Sequence, residues 1–192
     1  MSLILNSLIF GITALLLLRT LILDRKGKGQ SLKLSFRFFT VQSNLFCGLA
    51  SLCMLLAPEA EWAWLLKYMG TSAVSLTFFT VLFYLAPAIG SFTKLIREEN
   101  LFMHFLTPLM ALASFCIWER RGMGPWVFLW GMLPILLYGT LYLRKVVFDK
   151  TDKAWDDLYG FNRKGRWPLA LCAMLSANLI ICLCLSAVQN MG

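Results

Sequence analysis

Six long runs almost free of charge organise this chain: Leu3–Leu23, Phe36–Ala57, Trp62–Ala88, Leu101–Trp118, Pro125–Phe148 and Trp167–Val188. An uncharged apolar run of about 18 or more residues crosses the hydrocarbon core as a helix. In lipid every backbone N–H and C=O must find its partner within the protein, so only helices and closed barrels span. A barrel is excluded here, because its strands would alternate apolar and polar residues with period two. The predicted fold class is all-α: an integral membrane bundle of six transmembrane helices, forming a single domain over 1–192. Only 15% of the 192 residues are charged, against about 25% in soluble globular proteins. That leaves almost no soluble domain outside the bilayer. Arg19, near the end of the first run, and Lys67, early in the third, are expected to snorkel to the interface. The first run is read as a helix of the mature protein. No basic residue precedes it, and no small-x-small cleavage site closes it before Asp24.

The formal charge of +8 could suggest nucleic acid, but its placement argues for topology. Arg25, Lys26, Lys28, Lys33 and Arg37 follow the first run, and Lys94 and Arg97 follow the third. Arg144, Lys145, Lys150, Lys153, Arg163, Lys164 and Arg166 fall between the fifth and sixth. Fourteen of the eighteen basic residues thus lie in alternate loops, and Arg19 belongs with them by position. The other side has Lys67, Arg120 and Arg121. The positive-inside rule puts the basic loops in the cytoplasm and both termini outside. Trp62, Trp64, Trp118, Trp126 and Trp167 lie near run ends, as an interfacial aromatic belt should. The partners implied are membrane lipids, with anionic headgroups near the basic loops, and not nucleic acid. All six cysteines lie inside predicted helices, where they read as small packing residues rather than a disulfide framework or a zinc site.

Within a membrane helix, a polar residue is the informative one. In the second run Thr40, Ser43, Asn44, Cys47, Gly48 and Ser51 recur at spacings of three and four, which is one helical face. Gln42 points off it. Such a stripe reads first as a packing seam, where small residues let helices approach and amides bond across. The sole histidine, His104, lies about four residues into the fourth run, and Thr40 lies about four residues into the second. Both runs start from the basic side, which places the two at a similar depth of roughly 6 Å at ~1.5 Å per residue. Thr107 and Pro108 follow His104, and Pro108 frees a backbone carbonyl that needs a donor. A hydroxyl beside an imidazole is the minimal nucleophile and general-base unit for acyl transfer. Histidine, with an ordinary pKa near ~6.5, can accept the hydroxyl proton and return it to the leaving group. Asn44, one turn beyond Thr40, could donate to a developing oxyanion, with Ser43 and Gln42 in support. Tyr84, Tyr138, Tyr142 and Asn178 could line a cleft, though each also reads as an ordinary interhelical or interfacial group. No carboxylate lies deep in any predicted helix, which counts against a proton-coupled transporter or cation channel. No phosphate-binding glycine loop, CxxC pair or HExxH is present, and no metal or organic cofactor is expected.

Six helices in about 200 residues, Arg37-Phe38-Phe39-Thr40-Val41-Gln42-Ser43-Asn44 opening the second helix, and His104 with Pro108 early in the fourth resemble the androgen-induced protein family. The Phe39-Thr40-Val41-Gln42-Ser43-Asn44 run is especially similar to compact bacterial six-helix relatives. The resemblance implies an intramembrane threonine hydrolase that cleaves lipid esters, such as fatty acid esters of hydroxy fatty acids. Its threonine nucleophile would be Thr40 and its histidine His104, with a fatty acyl ester as substrate and the bacterial inner membrane as location. No carboxylate that would orient the imidazole is evident in the matching segments. A non-enzymatic lipid-binding, transport or partner-subunit protein stands as the alternative. The two differ in whether Thr40 Oγ lies within about 3–4 Å of a His104 ring nitrogen and faces a cavity, which favours the enzyme, or is widely separated from it or buried against a backbone carbonyl, which favours the module.

Overall fold

The computed structural model describes residues 1–90 and 99–191. The fold is all-α, with no strand among the described residues. Six helices are long and apolar enough to cross a membrane: α1 (Ser2–Arg25), α2 (Phe39–Leu56), α3 (Glu61–Leu85), α4 (Glu99–Trp118), α5 (Val127–Phe148) and α6 (Trp167–Gln189). Lys94 and Arg97, assigned to the basic side, lie outside the described residues.

α3 is the axis of the bundle. Every residue from Lys67 to Thr77 is buried, and this stretch is dominated by small and hydroxyl side chains. Such residues let backbones approach where lipid offers no hydrophobic drive between helices. A Cβ at Gly70 would come within 2.9 Å of the Cys47 Cα, so the α2–α3 crossing depends on glycine there. The stripe on α2 is accordingly a seam over most of its length: Ser43, Asn44, Cys47, Gly48 and Ser51 are all buried. Asn178 on α6 ties three helices at mid-bundle. It accepts from Ser72 Oγ at 3.2 Å and donates to the Gly131 carbonyl at 2.9 Å.

Two expectations, on Lys67 and Trp64, are corrected at the end of the bundle opposite the basic loops. Lys67 does not snorkel; it is fully buried, with Nζ donating to Asn6 Oδ1 at 2.8 Å and Ser51 Oγ at 2.9 Å. Its stem points into the helix seam, where two acceptors replace water. Trp64 is not part of an interfacial belt. It is buried against Tyr68 and Phe115, and its indole N–H donates to the Glu119 carbonyl. A carboxyl group also enters the bundle. Glu119, just past the end of α4, folds inward and is 5% exposed. Its Oε1 accepts from Ser2 Oγ, Asn6 Nδ2 and Ser114 Oγ at 2.7, 2.5 and 2.7 Å. Trp62, Trp118 and Trp126 do stand at the surface.

Three spans lose regular α geometry at the basic end, as α4 and α5 also do at the other, over Ser114–Trp118 and Val127–Met132. Val81–Leu85 in α3, Phe102–Leu106 in α4 and Leu143–Phe148 in α5 are π-helical. In the first two, a proline follows within three residues, Pro87 and Pro108. A proline donates no N–H, so the helix widens before it and leaves a carbonyl to be met from elsewhere. α2 starts later than its apolar run suggests. Phe36–Phe38 stay outside it: Phe38 is extended (φ −87°, ψ 132°), and Gln42 Nε2 donates back to the Phe36 carbonyl at 2.7 Å.

Candidate functional site

Thr40 is the second residue of α2 and half-buried. His104 is buried in the π-helical turn of α4. Equal depth does not follow from counting along the helices, because α2 begins at Phe39 and α4 at Glu99. The levels are set by Asn44. Its Nδ2 donates to the Thr40 carbonyl at 2.8 Å and to the Met103 carbonyl at 3.0 Å. The Met103 carbonyl needs that donor. Thr107 N–H reaches back five residues to the Phe102 carbonyl, and the next residue, Pro108, has no N–H to give. One amide thus joins the start of α2 to the residue preceding His104.

Thr40, Asn44, Met103 and His104 line one cavity of about 300 Å³. That is at the lower bound of the ~300–1,000 Å³ range of ligand pockets. Its wall continues through Gln30, Glu99, Asn100 and Tyr159. Glu99 is a carboxylate that the sequence motifs did not reveal, and it pairs with Arg19 of α1. Both amide hydrogens of Asn44 are engaged by carbonyls, so Asn44 is a brace and not an oxyanion donor. Its Oδ1, and Thr107 Oγ1, are buried without a hydrogen-bond partner among the described residues.

A second pocket, of about 50 Å³ and almost wholly apolar, backs onto Thr40 from the other side. Thr40, Leu85 and Tyr159 belong to both walls. Tyr138 and Tyr142 line this second pocket and not the first.

Tyr159 is the residue that sequence reasoning missed. It comes from the loop between α5 and α6 and inserts its ring among Phe38, Tyr142 and Phe161. Asp157 shapes that loop: its carboxylate accepts from the Tyr142 hydroxyl, from Phe161 N–H at 2.9 Å and from Asn162 N–H at 2.8 Å. The Tyr159 oxygen accepts from Phe39 N–H at 2.9 Å. The Thr40 and Tyr138 hydroxyls lie within hydrogen-bonding reach of it. Burial pushes the phenol up from its ordinary value, against the opposing pull of these hydrogen bonds, so it keeps its proton across the neutral range. The available signal was the run Trp155-Asp156-Asp157-Leu158-Tyr159-Gly160-Phe161: three aromatics in an otherwise charged loop.

The remaining candidates do not line the cavity that Thr40 and His104 share. Ser43 Oγ bonds Thr77 Oγ1 at 2.9 Å and the Thr40 carbonyl at 3.2 Å, inside the α2–α3 seam. Gln42 is occupied with Phe36. Tyr84 is exposed; it donates to the Tyr159 carbonyl at 3.3 Å and lines a separate groove between α3 and α6. Asn178 is at mid-bundle, in neither cavity wall. No cluster of three metal-ligating side chains occurs among the described residues.

The chain matches no protein-family profile, no curated protein and no solved structure.

Proposed function

We propose that this chain is an intramembrane ester hydrolase, of the kind that its resemblance to the androgen-induced protein family implies. Thr40 is the nucleophile and His104 the general base. The observation that carries the reading is the common cavity: a hydroxyl and the sole imidazole line it together, braced by Asn44.

The chemistry runs as acyl transfer. His104 takes the proton of the Thr40 hydroxyl as Oγ bonds to the ester carbonyl carbon. The Tyr159 phenol, protonated and beside Thr40, donates to the oxyanion. Collapse breaks the bond to the alcohol oxygen, which leaves with the proton held by His104. Water, deprotonated by His104, then attacks the acyl-threonine; a fatty acid departs and Thr40 regains its proton. The apolar pocket behind Thr40 supports a fatty acyl group, and the polar cavity in front supports water and the alcohol part. The basic loops favour a cytoplasmic site with both termini outside. The bacterial inner membrane is the location that the bacterial-like motif suggests.

The test uses purified protein in detergent, with a fluorophosphonate probe and fatty acid esters of hydroxy fatty acids. Labelling and cleavage that vanish in both Thr40→Ala and His104→Ala support the reading. Absence of both activities in the wild type, or variants that behave like it, rejects it and leaves a non-enzymatic lipid-binding module.

A further inference from the structure

A further groove lies apart from the cavity holding His104. It has a volume of about 530 Å³ and runs between α3 and α6, walled by Leu76, Phe79 and Phe83 on one helix and by Leu169, Ala173 and Ala177 on the other. Its lining is mainly apolar, except at one end. There Arg163 and Arg166 close it, immediately before α6 begins at Trp167. Both side chains are exposed, and neither has a hydrogen-bond or ion-pair partner among the described residues. Arg163 folds back over its own turn. Gly160 (φ +70°) allows this, since a Cβ there would come within 2.9 Å of Arg163 Nε.

Length and charge together specify the occupant. From Arg166, just before α6, to Ala177 the groove follows eleven residues, about 16 Å at ~1.5 Å per residue. That is about half of a hydrocarbon core of ~30 Å, the reach of one leaflet. A pair of guanidinium groups at the interfacial end suits carboxylate or phosphate oxygens, which arginine binds through its forked donors. The groove also leads inward. It shares Thr80, Phe161, Ala170 and Met174 with the apolar pocket that reaches Thr40.

We propose that this groove binds one chain of a single-leaflet amphiphile whose head carries an anionic carboxylate or phosphate held by Arg163 and Arg166. It forms the lateral route from the bilayer to Thr40. That the bound lipid is then cleaved rests on the hydrolase reading; that it binds does not.

Native mass spectrometry of the full-length protein in detergent, titrated with oleate, phosphatidylglycerol or phosphatidylcholine, tests the site. Two interfacial arginines at roughly fivefold each predict a preference for an anionic lipid over phosphatidylcholine on the order of tenfold or more. Arg163→Gln/Arg166→Gln should abolish that preference, and Ala173→Trp, which fills the groove from a lipid-facing position, should weaken retention of every lipid. Thr40→Ala should bind as the wild type does, because Thr40 is not in the groove wall. Preference for oleate alone identifies a free fatty acid anion as the source, and preference for phosphatidylglycerol identifies a phospholipid; either supports the site. Equal retention of all three lipids by the wild type overturns it. So does an anionic preference that survives the double substitution, or unchanged binding by Ala173→Trp. A wild type that shows this binding but cleaves no ester would instead count against the hydrolase and leave the site standing.

Discussion

The two ends of the bundle bury polar side chains in opposite ways. At the end away from the basic loops, Lys67 on α3, Asn6 on α1, Ser51 on α2 and Glu119 after α4 satisfy one another. Asn6 stands between the Lys67 and Glu119 side chains, its Oδ1 on Lys67 and its Nδ2 on Glu119, and Glu119 Oε2 is the exception left without a partner among the described residues. At the basic end the same four helices leave space. Thr40 and His104 line a cavity, and Asn44 Oδ1 and Thr107 Oγ1 lack partners among the described residues. Polar groups that close on each other hold helices together at the cost of their reactivity. Polar groups that line a void are placed to meet a ligand. In a membrane protein, burial of a polar residue therefore says little until its partners are known.

That contrast predicts different failures at the two ends. The largest effect belongs to the cavity. Thr40→Ala and His104→Ala should each lower ester hydrolysis by about 10³–10⁴-fold, with unfolding midpoints in detergent near that of the wild type; a residual rate of half or more would break the comparison. At the closed end the order reverses, with stability lost first. Lys67→Met should destabilise by about 3–5 kcal/mol, because it strands the Glu119 carboxylate in the bundle. Lys67→Met/Glu119→Gln should recover much of this in denaturant titration. If the double variant is as unstable as the sum of the singles, the network is not coupled through Asn6. Tyr159→Phe should reduce turnover by about 10–100-fold, less than ~3 kcal/mol, while leaving fluorophosphonate-treated protein as thermostable as the wild type. Unchanged turnover would remove Tyr159 from the reaction. Gln42→Ala should cost about 0.5–1.5 kcal/mol through its bond to Phe36 and leave hydrolysis intact; a large catalytic loss there would place Gln42 nearer the chemistry than its hydrogen bond does.

Several features could be read before any coordinates. The six spans follow from uncharged runs, and their bounds shift by only a few residues in the structure. The α2 stripe is legible as a buried face because its spacing is helical. The need of Pro108 for an outside donor is also legible, since a missing N–H is a property of the residue. Asn44 as that donor is not, because the partner lies 59 positions away on another helix. Lys67 is misjudged for a related reason. A charge near a helix end can turn outward or inward with equal local geometry, and Asn6 and Ser51 decide which. Tyr159 was missed because loop residues carry no periodicity, and Asp157 folds that loop through backbone N–H groups that any residue would supply.

The sequence by itself determined that this chain forms six apolar helices, which faces of them are small and polar, and which end is basic. These are local matters, settled by the hydrocarbon's refusal of bare charges and unpaired backbone. Tertiary structure alone decided that Thr40 and His104 share a cavity, that Asn44 braces it, and that an arginine-capped groove leads towards it. Helix order and crossing set those distances, and a hydropathy pattern that repeats six times over carries no information about which helix stands beside which.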